Sequence, residues 1–231
     1  AGPIVRYRDI ADQLRHRTHS LSRFYQGALL FECGLAKKLL IADVLAPVAT
    51  LAFDGATPGP LGAWTGLVAY TLQIYFDFSG YSDMAIGLGL MLGFRLPVNF
   101  DAPYRSRSIT EFWRRWHISL SSWLRDYLYV PLGGNRRGPL RTYVNLGITM
   151  LLGGLWHGAN WTFIAWGAWQ GAWLILERLG GRKAIWDIAP RVVGHALCFL
   201  VVMLGWVWFR SADLSVAFGY FGALIGGGGD G

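Results

Sequence analysis

Apolar residues run through this chain in long blocks, separated by short polar and basic punctuation. Residues 1–20 are polar and basic and predict a loop or a surface helix. From Phe24 to Phe53 the pattern is helical, but Lys37-Lys38 divides it into two apolar stretches. That suits a helix that bends or lies in a membrane interface. Pro58-Gly59-Pro60 ends it. Leu61 to Phe78 comes close to the about 20 apolar residues that a membrane span requires. Beyond the polar stretch Tyr75–Asp83, a second run goes from Met84 to Leu96, too short to span unless it takes in Ser82-Asp83. Pro97 and Pro103 mark a loop.

Ile109 to Val130 differs from the rest. Read as one helix, it places Trp113, Trp116, Leu120, Trp123 and Tyr127 on one face and Arg114, His117, Ser121 and Arg125 on another. An aromatic stripe beside a basic one predicts an interfacial or re-entrant helix, ended by Pro131, Gly133 and Gly134. Three further apolar runs follow, Thr142–Trp156, Ala159–Leu176 and Val192–Phe209, with a shorter one at Leu214–Ile225. His157-Gly158 joins the first two. The pattern predicts an all-α, multi-pass integral membrane protein, with residues 1–231 forming one domain. The chain opens at Ala1 without Met and ends in a glycine run, which reads as a partial chain of a longer protein.

Composition strengthens the membrane reading. The chain is 53% hydrophobic and 15% charged, against about 25% charged in soluble domains. Its 12 Trp and 31 Gly suit membrane interfaces and packed membrane helices. The net charge of +7 lies in short segments such as Arg105-Ser106-Arg107, Arg114-Arg115 and Arg136-Arg137. Scattered clusters of this kind fit cytoplasmic loops and anionic lipid headgroups. They form no continuous basic face, which argues against a nucleic-acid partner. Cys33 and Cys198 lie in apolar surroundings and read as buried small hydrophobes. His16-x-x-His19 reads as a solvated basic segment, and no metal site is expected.

The candidate chemistry is histidine. If Arg141 marks the membrane surface, a helix carries the chain about 24 Å inward by His157, at roughly 1.5 Å per residue. An ionisable group at that depth is costly unless it faces a protein interior or a polar cavity, so His157 is a functional candidate. The alternative is a histidine satisfied by helix packing. Gly154 and Gly158 have the small-xxx-small spacing that admits a second helix, and Asn160 lies where it could orient His157. His117 is either a solvated interfacial residue or a site residue. Its arginine neighbours would favour the neutral imidazole that a base requires. Asp77 and Asp83 either pair with an arginine or line a polar cavity. Trp156 and Trp161 read as packing before substrate contact. No GxSxG elbow, P-loop or paired carboxylates appear, so a His base activating a hydroxyl is the chemistry best served.

Four ordered stretches resemble the membrane-bound O-acyltransferase (MBOAT) family, and within it the alginate O-acetyltransferase branch. They are Tyr75–Gly87, Asn99–Tyr104, Glu111–Leu120 and Leu155–Trp161. The resemblance implies a many-helix membrane fold around a central cavity or tunnel. It implies that His157 is the catalytic residue and His117 the second family histidine. It also implies an acyl donor, acetyl-CoA in the cytoplasm, an extracytoplasmic polysaccharide acceptor, and periplasmic acetyltransferase partners. The expected location is the bacterial inner membrane, with the family's N-terminal spans missing from this chain. Together with the residue reading, it makes Asn160, Trp156, Arg114, Ser121 and Asp83 the candidate substrate-binding set, with no resident cofactor. Two rival readings use the same residues: a transporter or export channel without chemistry, and a membrane scaffold for a periplasmic enzyme.

Overall fold

A computed structural model describes residues 2–55, 58–181 and 190–227. Those residues form helices and connections, with no strand among them. The polar start is a surface helix, α1 (Tyr7–Arg15), which buries no residue. The interrupted stretch becomes α2 (Leu21–Ala36) and α3 (Asp43–Asp54), joined through one π-helical segment, Lys37–Ala42. The lysine pair therefore widens the helix without ending it, as π-bulges do.

The two apolar runs expected at 61–78 and 84–96 are a single helix, α4 (Pro60–Met91), 32 residues long. At roughly 1.5 Å per residue it reaches about 48 Å. The polar stretch that suggested a break is held inside the helix by partners on the neighbouring one. Lys37 pairs with Asp83, and the Lys38 ammonium bridges Asp43 and Asp77 at 2.8 Å each. The pairing expected of these carboxylates is present, but with lysines in place of an arginine.

The single amphipathic helix expected over 109–130 is instead broken. Helices α5 (Ile109–Arg115) and α6 (Ile118–Leu124) flank Trp116 and His117, and a π-helical turn follows at Arg125–Tyr129. Trp116 is extended and His117 is left-handed at φ 43°. Long-range pairing imposes the break: Asp101 N–H donates to Arg115 O at 3.0 Å, and Ile118 N–H donates to Asn99 O at 2.9 Å. No Gly or Pro at 115–118 announces it.

The remaining helices follow the expected runs: α7 (Gly138–His157), α8 (Trp161–Gly180), α9 (Arg191–Arg210) and α10 (Leu214–Leu224). Glycines let the main pairs approach. On α7 and α8, a Cβ at Gly154 would sit 2.2 Å from Phe163 O, and one at Gly167 2.4 Å from Met150 O. Gly158 faces the Phe163 ring. The core is aromatic, built on Phe112, Trp116, Trp166 and Trp206 from α5, α8 and α9 and the turn after α5.

Polarity is turned inward. Thr71, Ser79, Asn145 and Gln170 are buried, while Leu51, Leu61, Leu155, Leu176 and Val192 are exposed. Cys198 is buried as expected, but Cys33 is exposed on α2. Among the described residues, one helix, Arg191–Arg210, is long and apolar enough to cross a membrane by length and composition.

Candidate active site

The break between α5 and α6 turns the His117 side chain away from the arginines it was expected to join. It is 4% exposed and lies against Phe78, edge to face at 4.7 Å. A left-handed histidine buried at a helix junction is held there by its surroundings, a pattern that clusters at functional sites. His157 closes α7 at the Gly158 turn. Its ring packs on Trp166 at 5.1 Å and Phe209 at 5.2 Å.

Far apart in sequence, the two histidines line one cavity of about 340 Å³, with Ile74, Asp77, Phe78, Tyr81, Trp116, Trp166, Trp206 and Phe209. In both rings Nδ1 is occupied. His157 Nδ1–H donates to Gly153 O at 2.7 Å, since a carbonyl can only accept. His117 Nδ1 lies 3.1 Å from Asn99 Oδ1. Nε2 is thus the ring atom left free on each. His117 sits in the connection between two short helices. Burial, reinforced by the nearby His157, pulls its imidazole down to about 3, so it is neutral at physiological pH. The cause is burial and not the arginines.

Arg114 and Ser121 line a second, larger cavity of about 700 Å³ between α5–α6 and α7–α8. Arg125 and Arg178 join them there. Glu177 on the same wall is committed to capping α5: it accepts from the Ile109 N–H, from the Thr110 N–H at 2.9 Å and from the Thr110 hydroxyl at 2.7 Å. Three arginines against one carboxylate leave the cavity wall with an excess of positive charge. Trp113 on its wall packs on Trp166 of the histidine cavity, ring centroids 5.7 Å apart. This aromatic contact links the walls of the two chambers.

The other candidates fall elsewhere. Asn160 caps α8, accepting from Thr162 N–H at 3.1 Å, and donates to Ala212 O at 2.7 Å; it makes no bond to His157. Trp156 is 56% exposed and touches the edge of the His157 ring. Asp83 pairs with Lys37, whereas Asp77 reaches the histidine cavity. Sequence reasoning gave no role to Asn99, which binds His117, or to Arg178, which is distant from the other basic residues until α8 folds back.

These motifs, and a cavity lined by a buried and a half-buried histidine, can be set beside known proteins. A family model for MBOAT, the membrane-bound O-acyltransferase family, matches residues 1–182. The chain belongs to the membrane-bound O-acyltransferase family. Among its MBOAT relatives, a probable alginate O-acetylase AlgI of Azotobacter vinelandii is 58% identical over 228 residues, covering 97% of this chain and 45% of that protein. A peptidoglycan O-acetyltransferase of Helicobacter pylori is 42% identical, over 98% of the chain and 44% of the relative. A teichoic acid D-alanyltransferase of Streptococcus thermophilus is 31% identical, over 79% and 48%. The chain thus spans less than half the length of these MBOAT proteins. His117, His157 and Asn99 all lie in the part matched by the family model.

Proposed function

We propose that this chain carries the transfer centre of a bacterial inner-membrane enzyme that O-acetylates an extracytoplasmic polysaccharide of the alginate type. The observation that carries the reading is the shared cavity, where two histidines from distant parts of the chain each keep Nε2 free. The names of the relatives, acetylases of alginate and peptidoglycan, support an acetyl group and a glycan acceptor.

The chemistry is acyl transfer with a histidine base. His157 Nε2 takes the proton of an acceptor hydroxyl as its oxygen attacks the thioester carbonyl. The tetrahedral intermediate then collapses, the C–S bond breaks, and the thiolate takes the proton back from His157. His117, with a lone pair on Nε2, orients the acceptor hydroxyl by accepting its hydrogen or shares the proton. Arg114, Arg125 and Arg178 in the larger cavity suit the phosphates of an acetyl-CoA donor. Its acyl arm then crosses at the Trp113–Trp166 contact.

The inward polarity supports a multi-pass arrangement for α4, α7 and α8 as well as α9. Their polar residues lower their hydropathy but face the interior, while leucine and valine face out. A periplasmic acetyltransferase is the expected recipient of the acyl group.

The test follows thiol release from acetyl-CoA by the full-length protein in detergent, wild type beside His157→Ala, with a soluble hydroxyl acceptor. A loss of about 10²–10⁴-fold is expected for a missing general base. Equal release by both proteins would overturn the assignment. A parent that supports polymer acetylation in cells without His157 would point to a scaffold.

A further inference from the structure

We propose that Asn99 is a positioning residue for the transfer reaction: its carboxamide locks His117 as the Nδ1–H tautomer and so leaves Nε2 as the ring nitrogen free to act. The geometry is independent of the functional reading; its consequence for rate rests on that reading.

The partners of the amide fix which way it points. The Ser119 backbone N–H can only donate, and it lies 3.2 Å from Asn99 Oδ1. That atom is therefore the oxygen. The Ser119 hydroxyl accepts from Ile4 N–H at 2.9 Å and donates to the same Oδ1 at 2.8 Å. At the other end, Asn99 Nδ2 donates to Ser82 Oγ at 3.0 Å. Both ends of the amide are thus assigned by the groups they meet.

An Oδ1 acceptor leaves one choice for the ring nitrogen 3.1 Å away: Nδ1 carries the hydrogen. A neutral imidazole has one N–H, so Nε2 holds the lone pair. The amide is 0% exposed, and Ser82 and Ser119 beside it are buried too. Water cannot substitute for it. Asn99 also accepts the Ile118 N–H through its backbone carbonyl at 2.9 Å, so the same residue holds the left-handed turn that aims the ring.

An amide suits this place better than a carboxylate. It accepts the N–H without drawing His117 toward imidazolium. The other titratable groups around the cavity are Asp77 and Tyr81 from α4 and His157 from α7; α8 and α9 contribute only aromatic side chains to its wall. Asp77 is held by Lys38 at 2.8 Å. A carboxylate at 99 would be the charge in direct contact with the ring.

The experiment uses the full-length protein, labelled with ¹⁵N-histidine and purified in detergent, with His117→Gln to assign the signal. Ring ¹⁵N shifts separate an N–H from a bare nitrogen. Wild type should show His117 as Nδ1–H. Asn99→Leu should mix the tautomers and lower kcat about 10²-fold, the scale of a misplaced group, with KM little changed. Asn99→Asp should restore Nδ1–H and move the acidic limb of the kcat–pH profile upward, because a carboxylate favours the imidazolium. An Nε2–H signal in wild type, or an Asn99→Leu protein with wild-type tautomer and pH profile, would overturn the proposal. If Asn99→Leu does not fold, the wild-type signal and the Asn99→Asp profile decide it. Transfer that survives His157→Ala would defeat the functional reading, and the ring signal would still decide the role of Asn99.

Discussion

Gly34 of α2 and Gly80 of α4 meet backbone to backbone: a Cβ on Gly34 would lie 2.5 Å from Gly80 O, and one on Gly80 2.6 Å from Gly34 O. Farther along the same pair, Gly27 and Gly87 repeat the arrangement at 2.5 Å in both directions. Contacts this short admit no side chain, so the two helices must part if one is added. Gly80→Ala should destabilise the protein by about 1–3 kcal/mol, the usual cost of overpacking. Its unfolding midpoint in detergent should fall, and that of Gly147→Ala, where a Cβ meets nothing within 4 Å, should not. Equal midpoints for the two would mean that α2 and α4 are free to separate.

Lys37 and Asp83 are joined across the same helix pair and are only partly exposed. Removing one partner leaves an uncompensated charge, while removing both need not. Lys37→Met alone should lower the amount of folded protein in membranes. The double variant Lys37→Met with Asp83→Leu should recover most of it and retain transfer. A double variant that folds but transfers nothing would assign Asp83 a direct part in substrate binding.

Arg114 and Arg178 line the larger cavity from opposite helices. If they hold donor phosphates, Arg114→Gln and Arg178→Gln should each raise KM for acetyl-CoA several-fold with little change in kcat. Added salt should weaken wild-type donor binding more than variant binding. A kcat loss at unchanged KM would move these residues from donor binding to the reacting centre.

Asp126 ties the amino-terminal segment to the π-helical turn through Arg6 at 2.6 Å and Arg125 at 2.8 Å. Hydrogen bonds from Arg125 and then Arg6 hold its carboxyl below the usual carboxylate range. The folded value is depressed, so the contribution is present above the unfolded value of about 3.9 and is lost as pH falls through the folded value. Cleavage of segment 2–20 by an acid-active protease should therefore begin to rise below about pH 4 in wild type and climb progressively as pH falls further. Asp126→Asn should be cleaved readily already at neutral pH and show little further acid dependence. A wild-type segment equally protected at low pH would show that Asp126 does not hold it.

Much of the helical layout was legible in order along the chain. The runs at 142–156, 159–176 and 192–209 emerged as α7, α8 and α9 because each is a local apolar block with breakers at its ends. The pattern misled where distant residues set local shape. Asp77 and Asp83 were expected to pair with an arginine or line a cavity, but only the folded helices show that Lys38 and Lys37 are the partners. The helix carrying the Trp113 and His117 stripes looked continuous until the Asn99–Asp101 segment paired across 115–118.

The helical class, the family and the two histidines are written along the chain, because periodicity, composition and ordered motifs are properties of neighbours in sequence. That His117 and His157 share one cavity while Arg114 and Ser121 line another emerges only when the helices pack. The same packing sets Asn99 against His117 and turns Asn160 to capping. Hydrogen bonds act over about 3 Å in space. Which residues come within that reach is set by the partners that meet at the glycine-packed helix crossings and by the left-handed turn at His117, and no local stretch of residues names those partners or announces that turn.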